Sequence, residues 1–166
     1  MRAVRFSFAC LCVLGVWLTP LQLDAADGLA LGAERVQQVV NDFRARLSIS
    51  QDVQVSIVES NALLVSVQRH TNPETGFLLA FEGTFLSQLD EEELRAVVAH
   101  ELGHVWIFTH HPYLQTEQLA NQIAMRLVPR ESLEPIYDKV WKRLGTTGDM
   151  AQYLGSSGST TTAAFH

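Results

Sequence analysis

Cysteine is nearly absent: the 166 residues hold 2, Cys10 and Cys12, both near the amino terminus. That excludes a disulfide framework and a metal site built on paired thiolates. Basic runs are absent too. Lys and Arg number 12 against 18 Asp and Glu, giving a formal net charge of −6. Such a balance argues against nucleic acid as the main partner. There are no internal repeats, and no apolar run reaches the roughly 20 residues of a membrane span.

What the amino terminus does have is a short targeting pattern. Arg2 and Arg5 precede an apolar stretch from Phe6 to Leu18, Pro20 breaks it, and Leu23-Asp24-Ala25-Ala26 offers small residues. We read residues 1–25 as a signal peptide, cut after Ala25 or Ala26. No Leu-x-x-Cys precedes that point, so a lipid anchor is not expected. Cleavage removes both cysteines and leaves the chain one charge more negative. The expected mature protein is thiol-free, has no transmembrane helix, and is exported to a periplasm or secreted.

The remaining length suits one domain, residues 26–145, with a tail from 146 to 166. Val36, Val39, Val40, Phe43 and Leu47 predict a helix over Glu34–Leu47. Val53–Val58 alternates like a half-buried strand, and Glu59–Asn61 reads as a turn. Ala62–Gln68 is a second strand-like run, His70–Gly76 a loop and Phe77–Phe81 a third strand. Thr84–Leu89 reads as a turn or short helix. The fold class is α+β, with a small antiparallel or mixed sheet of about three strands.

The chemistry concentrates in Val97-Val98-Ala99-His100-Glu101-Leu102-Gly103-His104-Val105, which contains His-Glu-x-x-His. Residues four apart on a helix share a face, so His100 and His104 can aim two imidazoles at one point. Two imidazoles at that spacing suit zinc, and Glu101 beside them suits a general base acting on water. The pattern specifies only three positions, so its setting matters. Asp90 and Glu93 form a capping box, and Leu94, Val97, Val98, Leu102 and Val105 recur at helical spacing. The motif therefore lies within a buried helix ending near Thr109, where two histidines and a glutamate need partners.

Proline 112 breaks the chain after His110 and His111. Thr116 is a good N-cap for a helix that stops before Pro129. A last helix is expected over Leu133–Leu144, with Pro135 in its first turn and Gly145 as C-cap. From Thr146 the Gly/Ser/Thr-rich composition reads as flexible, with a short helical piece at Met150–Leu154.

A catalytic zinc site takes three protein ligands and keeps one position open. Glu117 is the preferred third ligand. Small Ala120 and Ala124 on its face would let that helix approach the motif helix, and Asn121 could hydrogen-bond a ligand imidazole. His110 is the runner-up, at the spacing of His-Glu-x-x-His-x-x-Gly-x-x-His, but Ile107 stands where that pattern needs glycine. His111 is a third option. His110, His111 and Tyr113 are also candidates for contacting substrate or an oxyanion.

Val53–Val128 resembles the HtpX-like and CAAX prenyl endopeptidase family of gluzincin metallopeptidases. The resemblance rests on Asn61-Ala62, on the run Asp90–His104, and on Glu117-x-x-Ala-Asn121. It implies a zincin-like fold, in which the sheet packs on an amino-terminal helix, the motif helix and two carboxy-terminal helices. It also implies one zinc per chain held by His100, His104 and Glu117, with Glu101 as base and acid. The strand ending near Phe81 would border the cleft and pair with an extended protein or peptide substrate. Asn121 departs from the family's aspartate. The short Glu-x-x-Ala-Asn helix before Leu-Val-Pro is also similar to ImmA-like metallopeptidases. The expected activity is that of a zinc metalloendopeptidase on envelope or extracellular proteins. The alternative expectation is a non-catalytic, zinc-containing peptide-binding or chaperone-like envelope protein.

Overall fold

The computed structural model describes residues 25–70 and 76–156. The expected signal peptide lies outside them but for Ala25, as does most of the His70–Gly76 loop. Six helices and three strands follow in the order α1 (Ala25–Arg46), β1 (Val53–Val58), β2 (Val65–Arg69), β3 (Phe77–Glu82), α2 (Gly83–Leu86), α3 (Glu91–His110), α4 (Glu117–Ala124), α5 (Arg130–Leu144) and α6 (Met150–Leu154).

The sheet is mixed, in the order β1-β3-β2, with β1 parallel and β2 antiparallel to β3. β3 is central because it is the most apolar strand: Phe77, Leu79 and Phe81 alternate into the core. Val36, Val40 and Phe43 of α1 and Val98 and Leu102 of α3 meet them in one cluster.

The two outer edges of the sheet are treated differently. On β1, the Gln37 amide donates to the Val53 carbonyl at 2.9 Å and accepts from the Val55 N–H at 3.0 Å. A side chain thus substitutes for a fourth strand. On β2, the Leu64 carbonyl accepts from Glu82 and the His70 N–H donates to Gly76. By alternation, the backbone groups of Val65 and Val67 face away from β3. β2, and not the strand ending near Phe81, is therefore the strand with a free edge at the cleft. β3 is paired on both sides and can accept no further strand.

Elsewhere the elements differ in extent from expectation. α1 begins at Ala25 rather than Glu34. β2 starts at Val65 because Asn61 folds residues 61–64 into a turn. Its side chain donates to the Ala80 carbonyl at 3.1 Å and accepts from the Leu63 N–H at 3.0 Å. α5 starts at Arg130, which puts Pro135 in the second turn, where it removes one helical hydrogen bond. Within the tail expected from Thr146, the helical piece read at Met150–Leu154 is present as α6. Asp149 caps α6, and Leu154 is buried at 5% exposure. Residues 157–166 lie outside the description.

α3 is where local sequence is strongest. Asp90 accepts from the Glu93 N–H at 2.9 Å and the Glu93 carboxylate accepts from the Asp90 N–H at 3.0 Å, completing the capping box. Lys139 of α5 then pairs with Glu93, at 2.6 Å. Asp90→Ala should lower stability by about 1 kcal/mol. Urea denaturation followed by circular dichroism measures it, with helix content of the folded state unchanged.

Candidate metal centre

His100 and His104 stand one turn apart on α3, ring centroids 4.9 Å apart and nearly perpendicular. Glu117 opens α4, whose first turn is fixed by Thr116, which accepts from the Leu119 N–H at 3.1 Å. The Glu117 carboxylate spans both rings: Oε2 is 3.2 Å from His100 Nε2 and Oε1 is 3.4 Å from His104 Nε2. Among the described residues these three form a group whose ligand atoms lie within 4.8 Å of one another.

Close packing makes this possible. A Cβ on Gly103 would overlap the backbone carbonyl of Ala120. Ala120 and Ala124, both fully buried, complete the contact from the α4 side. The small residues on α4 were legible in advance. Their counterpart on α3, the glycine inside the motif itself, was not.

Each imidazole is oriented from behind by a neutral amide. His100 Nδ1–H donates to Asn121 Oδ1 at 2.8 Å, and His104 Nδ1–H donates to Gln115 Oε1 at 3.2 Å. Gln115 also donates to the His104 carbonyl at 3.3 Å. A carbonyl only accepts, so the amide nitrogen must face it and the amide oxygen must face the ring. With both Nδ1 atoms committed as donors, both Nε2 lone pairs face the carboxylate. Three sets of lone pairs converging on one point repel unless a cation sits among them. The donor set, two imidazole nitrogens and a carboxylate, therefore fits a divalent ion such as zinc.

The titration behaviour expresses the same preference for positive charge. Burial alone would push His100 down, but the Glu117 hydrogen bond and the charges of Glu101 and Glu117 outweigh it and move it up. Where no ion intervenes, a proton at Nε2 meets the same need: hydrogen bonds from His100 and His104 hold the Glu117 carboxyl far below the usual carboxylate range, against the opposing effect of burial. Glu101 is different. It is 8% exposed, and burial raises its pKa in spite of the two nearby histidines. The Val67 backbone on the neighbouring β2 acts the other way and lowers it.

A cavity of about 450 Å³ opens beside the cluster. His100, Glu101, His104 and Glu117 line one part of it, while Val97, Leu133, Ile136 and Val140 give it apolar walls. Tyr137 of α5 also lines it, its ring edge-on to His100 at 6.1 Å and its hydroxyl accepting from Asn121 at 2.7 Å. Burial pushes the Tyr137 phenol up, out of any physiological titration. Neither Gln115 nor Tyr137 was identified from sequence. No spacing rule links them to the motif; the fold alone brings them there.

Three expected residues are elsewhere. His110 stacks on Trp106 with ring centroids 4.2 Å apart, and its Nδ1 lies 2.9 Å from the Trp106 carbonyl. His111 is exposed and tilted against the same indole. Tyr113 is 97% exposed. None of them lines the cavity. The reason is that α3 continues through Ile107 to His110, so His110 lies roughly 240° around the helix from His104.

The profile of peptidase family M48 matches residues 31–136. The crystal structure of a metallopeptidase zymogen, Pyrococcus abyssi abylysin, is similar with a TM-score of 0.50 and 18% identity, covering 69% of this chain and 99% of that one. That of the Methanocaldococcus jannaschii jannalysin zymogen has a TM-score of 0.48 and 16% identity, over 66% and 96% of the two chains. No curated protein sequence matches.

Gly103→Ala should push α4 off α3, because the obstacle is backbone and cannot rotate away. We expect a loss of about 1–3 kcal/mol in stability and weaker uptake of a divalent ion, since Glu117 moves with α4. Urea denaturation and metal titration of the variant check both.

Proposed function

Because the chain belongs to peptidase family M48 and is a metallopeptidase, we propose that it is a zinc-dependent endopeptidase whose ion is held by His100, His104 and Glu117. The observation that carries this reading is the convergence of two Nε2 lone pairs and a carboxylate on one point beside a cavity. Zinc bound there supplies Lewis acidity, which acidifies water and polarises the scissile carbonyl. The chain's own residues do the rest.

Glu101 is the general base. It takes a proton as water attacks the carbonyl carbon, then passes that proton to the departing amide nitrogen as the C–N bond breaks. Its burial favours holding a proton between those events. An extended peptide pairs with the outward backbone groups of Val65 and Val67, which places its carbonyl next to Glu101. Asn121 and Gln115 keep both imidazoles in the tautomer that presents Nε2.

The amino-terminal targeting pattern supports export, so we propose that the substrates are envelope or extracellular proteins. N-terminal sequencing of the protein from an expressing cell's exported fraction should begin at Ala26 or Asp27. A chain starting at Met1 would sink the cleavage reading, and absence of the protein from that fraction would sink the export reading.

Glu101→Gln should keep one zinc per chain by elemental analysis yet slow casein cleavage by about 10²–10⁴-fold. Glu117→Ala should lose the zinc and the activity together. A fully active Glu101→Gln variant would overturn the mechanism.

A further inference from the structure

The Asn121 side chain is completely buried, and both its oxygen and its nitrogen are hydrogen-bonded. Its oxygen accepts from His100 Nδ1–H at 2.8 Å. Its nitrogen donates to the Tyr137 hydroxyl at 2.7 Å and to the Tyr153 backbone carbonyl at 3.0 Å. These last two partners are not equivalent. A hydroxyl donates or accepts, so Tyr137 would tolerate either end of the amide. A carbonyl only accepts. The Tyr153 carbonyl alone therefore dictates which end of Asn121 faces His100.

We propose that α6 is a working part of the metal centre, in which the Tyr153 carbonyl positions His100 for the ion by fixing the orientation of the Asn121 amide. The inference rests on the reading of His100 as a ligand and extends it to a segment 32 residues beyond Asn121. Tyr153 can serve because it lies in the last turn of α6, where carbonyls have no partner within the helix. Docking of α6 is built for the purpose. Leu154 is buried, and its carbonyl accepts from Arg130. The Tyr153 ring packs on Tyr137 and Trp141, with centroids 5.2 and 5.8 Å away. Gly148 passes so close to the Trp141 ring that no Cβ would fit.

Were α6 to lift, the amide could turn over and present its nitrogen to His100. The ring would answer by placing its proton on Nε2, the atom the ion needs bare. An aspartate at position 121 would be indifferent to this, since both carboxylate oxygens accept. The asparagine needs a carbonyl behind it, and α6 supplies one.

The test uses the full chain. Leu154→Asp puts a charge in the α6 dock. We expect a folded protein by circular dichroism that binds zinc at least about tenfold more weakly in competition with a chelator. The ¹⁵N shifts of His100 in the metal-free protein, recorded where the ring is neutral, should change from one tautomer to a mixture. Adding Asn121→Asp to the same chain should restore zinc binding. Wild-type affinity and a single tautomer in Leu154→Asp would overturn the proposal. So would a loss that Asn121→Asp fails to rescue, because α6 would then matter for packing only. If Leu154→Asp does not fold, Gly148→Val displaces α6 by another route and is read in the same way. Should the wild-type protein bind no zinc, the proposed function fails, while the tautomer measurement still decides this inference.

Discussion

The backbones of α3 and α4 touch where Gly103 meets Ala120. Without that contact the site would not assemble. The two histidines are set by helical spacing alone and would lie on one face of α3 in any context. The carboxylate comes from another helix, and a glutamate side chain is short. Glu117 reaches both Nε2 atoms only because α4 lies against α3 with no side chain between them at the crossing. Thr116 then matters as more than a helix start: by capping α4 it fixes where the first turn, and with it Glu117, begins.

The second determinant is directional. Metal sites often orient their histidines with carboxylates, which accept at either oxygen and add negative charge. Here both acceptors are neutral amides, Asn121 and Gln115. A neutral acceptor leaves the imidazole a weaker donor to the ion, and it has a wrong way round. Each amide is therefore held by a carbonyl. For Gln115 that carbonyl is local, on His104 itself. For Asn121 it is remote, on α6. The negative charge near the ion is thus confined to Glu117 and Glu101, which have opposite environments. Glu117 is half-exposed and held ionised by the histidines, whereas Glu101 is buried with its proton affinity raised.

Local signals in the sequence located what local forces make. The Asp90/Glu93 capping box, the Thr116 N-cap and the Gly145 C-cap are all present as read, with Gly145 in the left-handed region at φ 65°. The alternation in Val53–Val58 marked β1 residue for residue. The His100/His104 face followed from periodicity, and Glu117 from the small residues sharing its side of α4. What was not legible depends on contacts between distant segments. The strand order put β2 rather than β3 at the cleft, and no pattern within a single strand specifies its neighbours. Ala26–Ala33 was assigned no element, because Gly28 and Gly32 interrupt any apolar stripe, yet it is helical. The helical piece at Met150–Leu154 was legible, but the place where it packs was not. Only its dock on Tyr137, Trp141 and Arg130 gives it a place. The family's aspartate-to-asparagine change at 121 was visible, but its compensation by Tyr153 was not.

The unequal edges of the small sheet have a consequence for the chain in concentrated solution. Fibrils of stacked strands require each molecule to offer two open sides, one to receive a neighbour and one to pass the stack on. The Gln37 amide occupies one side of this sheet and leaves the other bare. Association through strands can therefore join two molecules and must stop there, so the open flank does not make the chain a seed for amyloid.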